Sequence, residues 1–81
     1  MSLAVGFVGG RLSEARKARA VTAIDLASMV GVSETSISKY ENDRQVPRQE
    51  IVSSFSRTLS LPREYFFRPI TIVDTLSLIH I

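Results

Sequence analysis

Glu34, Thr35, Ser38 and Lys39 lie within the eight residues "ETSISKYE". Wound into a helix, positions four apart share a face, so Glu34 stacks on Ser38 and Thr35 on Lys39. That spacing gathers a carboxylate, two hydroxyls and an ammonium into one strip. Ile37 and Tyr40, with Val30 and Val32 just upstream, point the other way, toward a core. The strip holds donors and acceptors but no nucleophile beside a base. The 81-residue chain has one histidine, His80, and no cysteine, so neither a histidine-activated nucleophile nor a thiolate metal site is expected. The chemistry open to such a strip is hydrogen bonding to a polar partner. The plain alternative is a solvated helix face.

The strip can act only if neighbouring helices hold it. "RLSEARKARA", residues 11–20, reads as a first helix with Leu12 and Ala15 inward. "VTAIDLASMVG" reads as a second: Thr22 is a candidate N-cap, Asp25 three residues on makes a variant capping box, and Gly31 is the stop. Only Val32 separates that glycine from Ser33, the next candidate N-cap, and the third helix then runs to Asn42. "NDRQV" is a loop. Pro47 is expected to open a fourth helix, where its missing N–H costs nothing, with Val52, Phe55 and Leu59 as the buried stripe. Pro62 begins a short fifth helix, "PREYFF", and Pro69 closes the domain. Tyr40, Tyr65, Phe66 and Phe67 are expected in the core or at a dimer surface, and Arg63 and Arg68 on solvated surface. An eight-residue helix is about 12 Å long and marginal alone, so five of them predict a compact all-α globule held by packing.

Composition agrees with one small domain. Apolar residues make up 44% and charged residues 22% of the chain. Ten basic and eight acidic residues leave a net charge of +2, a mild lean toward an anionic partner. All ten basic residues fall in segment 11–68. Residues 1–10 are Gly-rich and uncharged and read as an N-terminal arm, and residues 69–81 read as a linker and tail. No apolar run approaches the roughly 18 residues that span a bilayer, so no membrane contact is expected. The opening lacks the basic start of a signal peptide. A cytoplasmic protein without cofactors or enzymatic activity is the expectation.

The blocks "RLSEAR", "VTAIDLASMVGVSETSISKYENDRQVP" and "TLSLPREYFF", in this order and spacing, resemble the Cro/C1-type (XRE) helix-turn-helix regulators over residues 11–68. "SISKYEN" carries the likeness most specifically. The resemblance implies a five-helix, lambda-repressor-like DNA-binding domain whose third helix enters the major groove of double-stranded DNA. Glu34, Thr35 and Ser38 would face bases, and Lys39 either bases or phosphate. Thr22, the amide of Ala23, Ser33, Asn42 and Arg44 would meet phosphates. Arg16 and Glu41 would form an ion pair tying helix one to the end of helix three. A homodimer on a two-fold-symmetric operator, regulating transcription as a repressor, is the implied assembly. The alternative is an antitoxin-type module that binds a toxin and regulates its own operon.

Three positions depart from the family pattern. Ala23 stands where Gln is usual, Ala20 where Gly often ends helix one, and Asp43 replaces the glycine of "ENG", setting an acid near phosphates. "EYFFRP" resembles the end of the N-terminal domain in regulators that continue into an ImmA/IrrE-type metallopeptidase domain, which implies a missing C-terminal domain. "LSLIHI", residues 76–81, resembles the translation of a sequencing-adapter end and is expected to be artefactual; its alternative reading is a β-strand.

Overall fold

A computed structural model describes residues 2–69. The expectations for residues 70–81, including the tail, lie outside the described residues. Four helices follow in order: α1 (Gly9–Ala18), α2 (Ala23–Val30), α3 (Glu34–Glu41) and α4 (Gln49–Leu59). A 3-10 turn over Arg63–Phe67 completes them. α1 packs on α3 and on the 3-10 turn, α2 on α3 and α4, and α4 on the 3-10 turn.

The signals between α2 and α3 act as the sequence suggests. The Thr22 hydroxyl accepts from the Asp25 amide at 3.1 Å, and the Ser33 hydroxyl accepts from the Ser36 amide at 3.1 Å. Each satisfies an amide that the first helical turn leaves free. Gly31 ends α2 at φ 77°, the left-handed conformation that glycine adopts without strain. A Cβ there would meet nothing within 4 Å, so its backbone angle is what calls for glycine.

Three helices differ from expectation: α1 runs Gly9–Ala18, two residues ahead of the expected 11–20, and the fourth and fifth differ as well. Pro47 does not open α4. The N-cap is Arg48, and Pro47 is buried one residue earlier, its carbonyl accepting from the Ala4 amide at 2.8 Å. The expected fifth helix is only a five-residue 3-10 turn. Proline at 69 disfavours helical backbone at Arg68, which is extended at φ −77° and ψ 126°. Too few residues remain to establish an α-helix.

The N-terminal segment is a larger departure. Residues 2–8 do not stand off as an arm. Ala4 is fully buried and Phe7 only 9% exposed. The Phe7 ring lies 6.1–6.4 Å from those of Phe55, Phe66 and Phe67. Backbone bonds from Val8 to the Phe66 carbonyl (2.8 Å) and from Gln49 to the Ser2 carbonyl (3.0 Å) fix the strip on both sides. Leu3 and Arg48 form an isolated antiparallel bridge, the one β pairing among the described residues. A stretch without charge has no ion to desolvate on burial, and here Ala4 and Phe7 enter the core while Leu3 and Val5 stay exposed.

These residues join Leu12, Ala15, Leu26, Ile37, Val52, Phe55, Leu59 and Phe66 in one core. Tyr40 is 6% exposed and packs edge-on to Phe55, with ring centroids 6.1 Å apart.

Arginines tie the outer elements together. Arg19 donates to the Leu59 carbonyl at 2.8 Å and so caps α4. Arg63, expected on solvated surface, instead donates to the Gln49 carbonyl at 3.1 Å and to the side chains of Gln49 and Ser53. The guanidinium thus closes the first turn of α4 onto the 3-10 turn. Arg11 reaches Glu14 and the carbonyls of Arg68 and Pro69 at 2.9–3.1 Å. The Tyr65 hydroxyl, and after it Arg11, hold the Glu14 carboxyl below its usual range.

Candidate nucleic-acid interface

The four side chains of the strip come together on α3. Glu34, Thr35, Ser38 and Lys39 are all exposed, while Ile37 and Tyr40 on the opposite side are buried. An eight-residue helix with mostly polar residues cannot bury enough apolar area to persist alone. Its two buried side chains and its contacts with α1 and α2 keep it folded and turn its polar side outward. Glu34 sits in the first turn and Lys39 in the last, where each sign also suits the helix dipole.

The flanking residues divide. Thr22 is exposed at the start of α2, its hydroxyl oxygen already accepting from Asp25. The Ala23 and Ile24 amides belong to the first turn, where no intrahelical acceptor exists. Ser33 is committed to its cap and to a 3.0 Å bond with the Ser36 hydroxyl. The Asn42 amide group donates to the Ser38 carbonyl at 2.8 Å, closing the end of α3 and leaving the Asn42 side-chain oxygen outward. Arg44 is exposed, its backbone N–H donates to the Lys39 carbonyl at 2.9 Å, and its guanidinium has no hydrogen-bond partner among the described residues.

Arg16 and Glu41 form the two-pronged pair, with Nε to Oε2 at 2.7 Å and Nη2 to Oε1 at 3.2 Å. The remaining guanidinium nitrogen donates to the Val21 carbonyl at 3.0 Å. The side chains are 15% and 12% exposed, and the bond to Glu41 raises the Arg16 pKa above its ordinary value. This pair joins α1 to the last residue of α3 and the loop before α2. It turns no charge toward the exposed strip.

Sequence reasoning misses Gly9 altogether and singles out Asp43 as an acid near phosphates without finding its partner. Gly9, the first residue of α1, lies so close to the end of α3 that an added Cβ would fall 2.2 Å from the Tyr40 carbonyl oxygen. Asp43, at φ 56°, accepts from the Gly9 amide at 2.8 Å. Helical spacing says nothing about a contact 34 residues apart. The signal in the sequence is an aspartate where the family pattern has glycine; the poor N-cap residue Val8 leaves an amide needing an acceptor, but only the structure shows that α1 starts there. Ala20 is also left-handed, at φ 56°, so the strain expected of an alanine where glycine is usual is present.

Arg11, Arg16, Arg19 and Arg63 are bonded to distant parts of the domain, and Arg57 donates to Ser54 within α4. Lys39 and Arg44 are the cations left outward at and just after α3. Among the described residues no cluster of ligand side chains could hold a metal ion, and no helix is long and apolar enough to cross a membrane. The arrangement offers hydrogen-bond donors and acceptors on a rigid short helix, flanked by free amides and two cations, to a polar anionic surface.

Residues 12–66 match the helix-turn-helix family model HTH_3. Among solved structures the chain is similar to the P22 c2 repressor in complex with a synthetic operator, at 30% identity and a TM-score of 0.70, over 74% of this chain and 91% of that one. The solution structure of the P22 c2 repressor DNA-binding domain is similar at 29% identity and a TM-score of 0.69, over 82% and 84% of the two chains. SinR in complex with DNA, the biofilm regulator of Bacillus subtilis, shares the fold at 23% identity and a TM-score of 0.70, over 74% of this chain and 97% of that one. No curated protein matches the chain.

Proposed function

Since the chain belongs to the helix-turn-helix family HTH_3, we propose that it binds double-stranded DNA through α3 and regulates transcription, acting as a repressor. The observation that carries this reading is the exposed strip Glu34, Thr35, Ser38 and Lys39 on a helix whose other side is sealed in the core. The likeness to the P22 c2 repressor, itself in complex with an operator, supports it. Thr35 and Ser38 read base edges. Lys39 reaches bases or phosphate, and the Ala23 amide, Thr22, Ser33, Asn42 and Arg44 hold phosphates. Glu34 is tolerated opposite a cytosine amino group.

The domain binds as a homodimer, each α3 in a major groove one turn from the other, which is how such domains read two-fold-symmetric operators. Exposed Leu3 (53%) and Val46 (40%) line an open groove of about 510 Å³ together with Gln45, Arg48 and Glu50, a mixed surface that a second copy would cover.

The test is selection of bound sequences from a random duplex library, followed by titration. Enrichment of a symmetric site supports the reading, and no enrichment together with no binding defeats it. Thr35→Ala and Ser38→Ala should each lower the ratio of operator to random-DNA affinity by roughly three- to ten-fold, since a single hydroxyl contact falls at or below the low end of a good base contact. Both are exposed positions on α3, so melting temperatures should hold. An unchanged ratio would mean another face of the protein reads the bases.

Arg44→Ala should instead weaken all sequences alike. Each phosphate neutralised by a cation contributes about −0.9 to the log–log salt slope. With Lys39 and Arg44 both on phosphate, the slope is on the order of −2 per chain, and Arg44→Ala should remove about 1 of it. A salt titration in which the variant keeps the wild-type slope would take Arg44 off the phosphate.

A further inference from the structure

The loop after α3 is tied to the start of α1 by one carboxylate. Asp43 adopts φ 56°, a conformation that glycine reaches freely and an L residue only at a cost. Its Oδ1 accepts from the Gly9 amide at 2.8 Å. Gly9 opens α1, and the N-cap Val8 supplies no side-chain acceptor. Asp43 therefore caps a helix 34 residues earlier in the chain and lays its negative charge on the positive end of α1. A Cβ on Gly9 would fall 2.2 Å and 2.7 Å from the carbonyl oxygens of Tyr40 and Glu41, so α1 begins in direct contact with the last turn of α3. Asn42 and Arg44, on either side of Asp43, bond back to the Ser38 and Lys39 carbonyls.

We propose that Asp43 is a positioning residue for DNA binding: its bond to the Gly9 amide fixes the loop after α3 and with it the direction of Arg44. This rests on the DNA-binding reading above. The acid that the sequence sets near phosphates is turned onto α1, and the strained backbone that carries it orders the one outward cation of the loop.

The test uses the full chain with Asp43→Ala and Asp43→Asn, each in the wild-type and Arg44→Ala backgrounds. Affinity for a random 20-base-pair duplex is read by fluorescence anisotropy, below the melting transition of every variant. Exchange of the Gly9 amide is followed by NMR. Asp43→Ala should lose roughly three- to ten-fold in affinity, the size of coupling between residues sharing one network, and should expose the Gly9 amide to exchange. Asp43→Asn keeps an acceptor and sheds a charge, so it should bind at least as tightly as wild type and protect the amide. In the Arg44→Ala background the loss on Asp43→Ala should vanish. An equal loss in both backgrounds, or wild-type affinity for Asp43→Ala, overturns the proposal. Wild-type protein that binds no duplex overturns the DNA-binding reading beneath it, and is thereby told apart from a failure confined to Asp43.

Discussion

Arg16→Ala lowers the stability of the domain by about 2–4 kcal/mol. Removing one partner of a fully buried pair costs about 3–5 kcal/mol, because the other charge stays uncompensated, and exposure reduces that figure. Exposures of 15% and 12% place Arg16 and Glu41 toward the buried end. The lost bond to the Val21 carbonyl adds to the effect. Stability of a domain this size is on the order of 4–10 kcal/mol, so the variant approaches the threshold of folding. Glu41→Ala should cost a comparable amount, and the double variant much less than the sum, since neither charge is then left alone. Thermal or urea melts of the three variants measure this, and strictly additive losses would show that the 2.7 Å contact carries no energy. DNA affinity below the transition should change little, because the pair faces inward.

Gly9→Ala should have an effect of similar size for the opposite reason, crowding in place of a lost attraction. Elsewhere in a helix, alanine is favoured over glycine by about 1 kcal/mol. Here the new methyl carbon would stand 2.2 Å from the Tyr40 carbonyl oxygen and 2.7 Å from that of Glu41. Both are backbone atoms and cannot swing aside, so α1 must withdraw from α3. Overpacking of that kind costs about 1–3 kcal/mol and occasionally more, and the withdrawal also breaks the bond from Gly9 to Asp43. The net loss should be about 2–3 kcal/mol, accompanied by weaker binding to all DNA sequences as the end of α3 shifts. A melt together with duplex titration checks both parts. A variant as stable as wild type would mean that α1 and α3 are not in contact at this point.

How far the sequence carries can be judged from α2 and α3. Thr22, Gly31 and Ser33 act through hydrogen bonds and backbone angles that reach no more than four residues. Their positions in the chain therefore determine the two helices and the turn between them. The same locality puts Glu34, Thr35, Ser38 and Lys39 on one face. The pairing of Arg16 with Glu41 is not local, and it was legible only through the family resemblance. Helix periodicity identified Val52, Phe55 and Leu59 as core because repetition marks a buried stripe. It could not identify Ala4 and Phe7, which flank a turn at Val5 and Gly6 in a segment with no repeat to read.

By itself, then, the sequence determined what local chemistry determines: the all-helical class, the helix-turn-helix and the polar face of α3. Tertiary structure decided how α3 is held, by a glycine without a side chain, an aspartate capping a distant helix and an N-terminal strip folded into the core. It also decided which arginines remain outward, because Arg11, Arg19 and Arg63 find carbonyl partners 14 to 58 residues away. The physical reason is the range of the forces involved. Caps and helical faces are set by neighbours in the chain. A close approach between backbones, or a carboxylate meeting a free amide, exists only once packing has brought distant segments together.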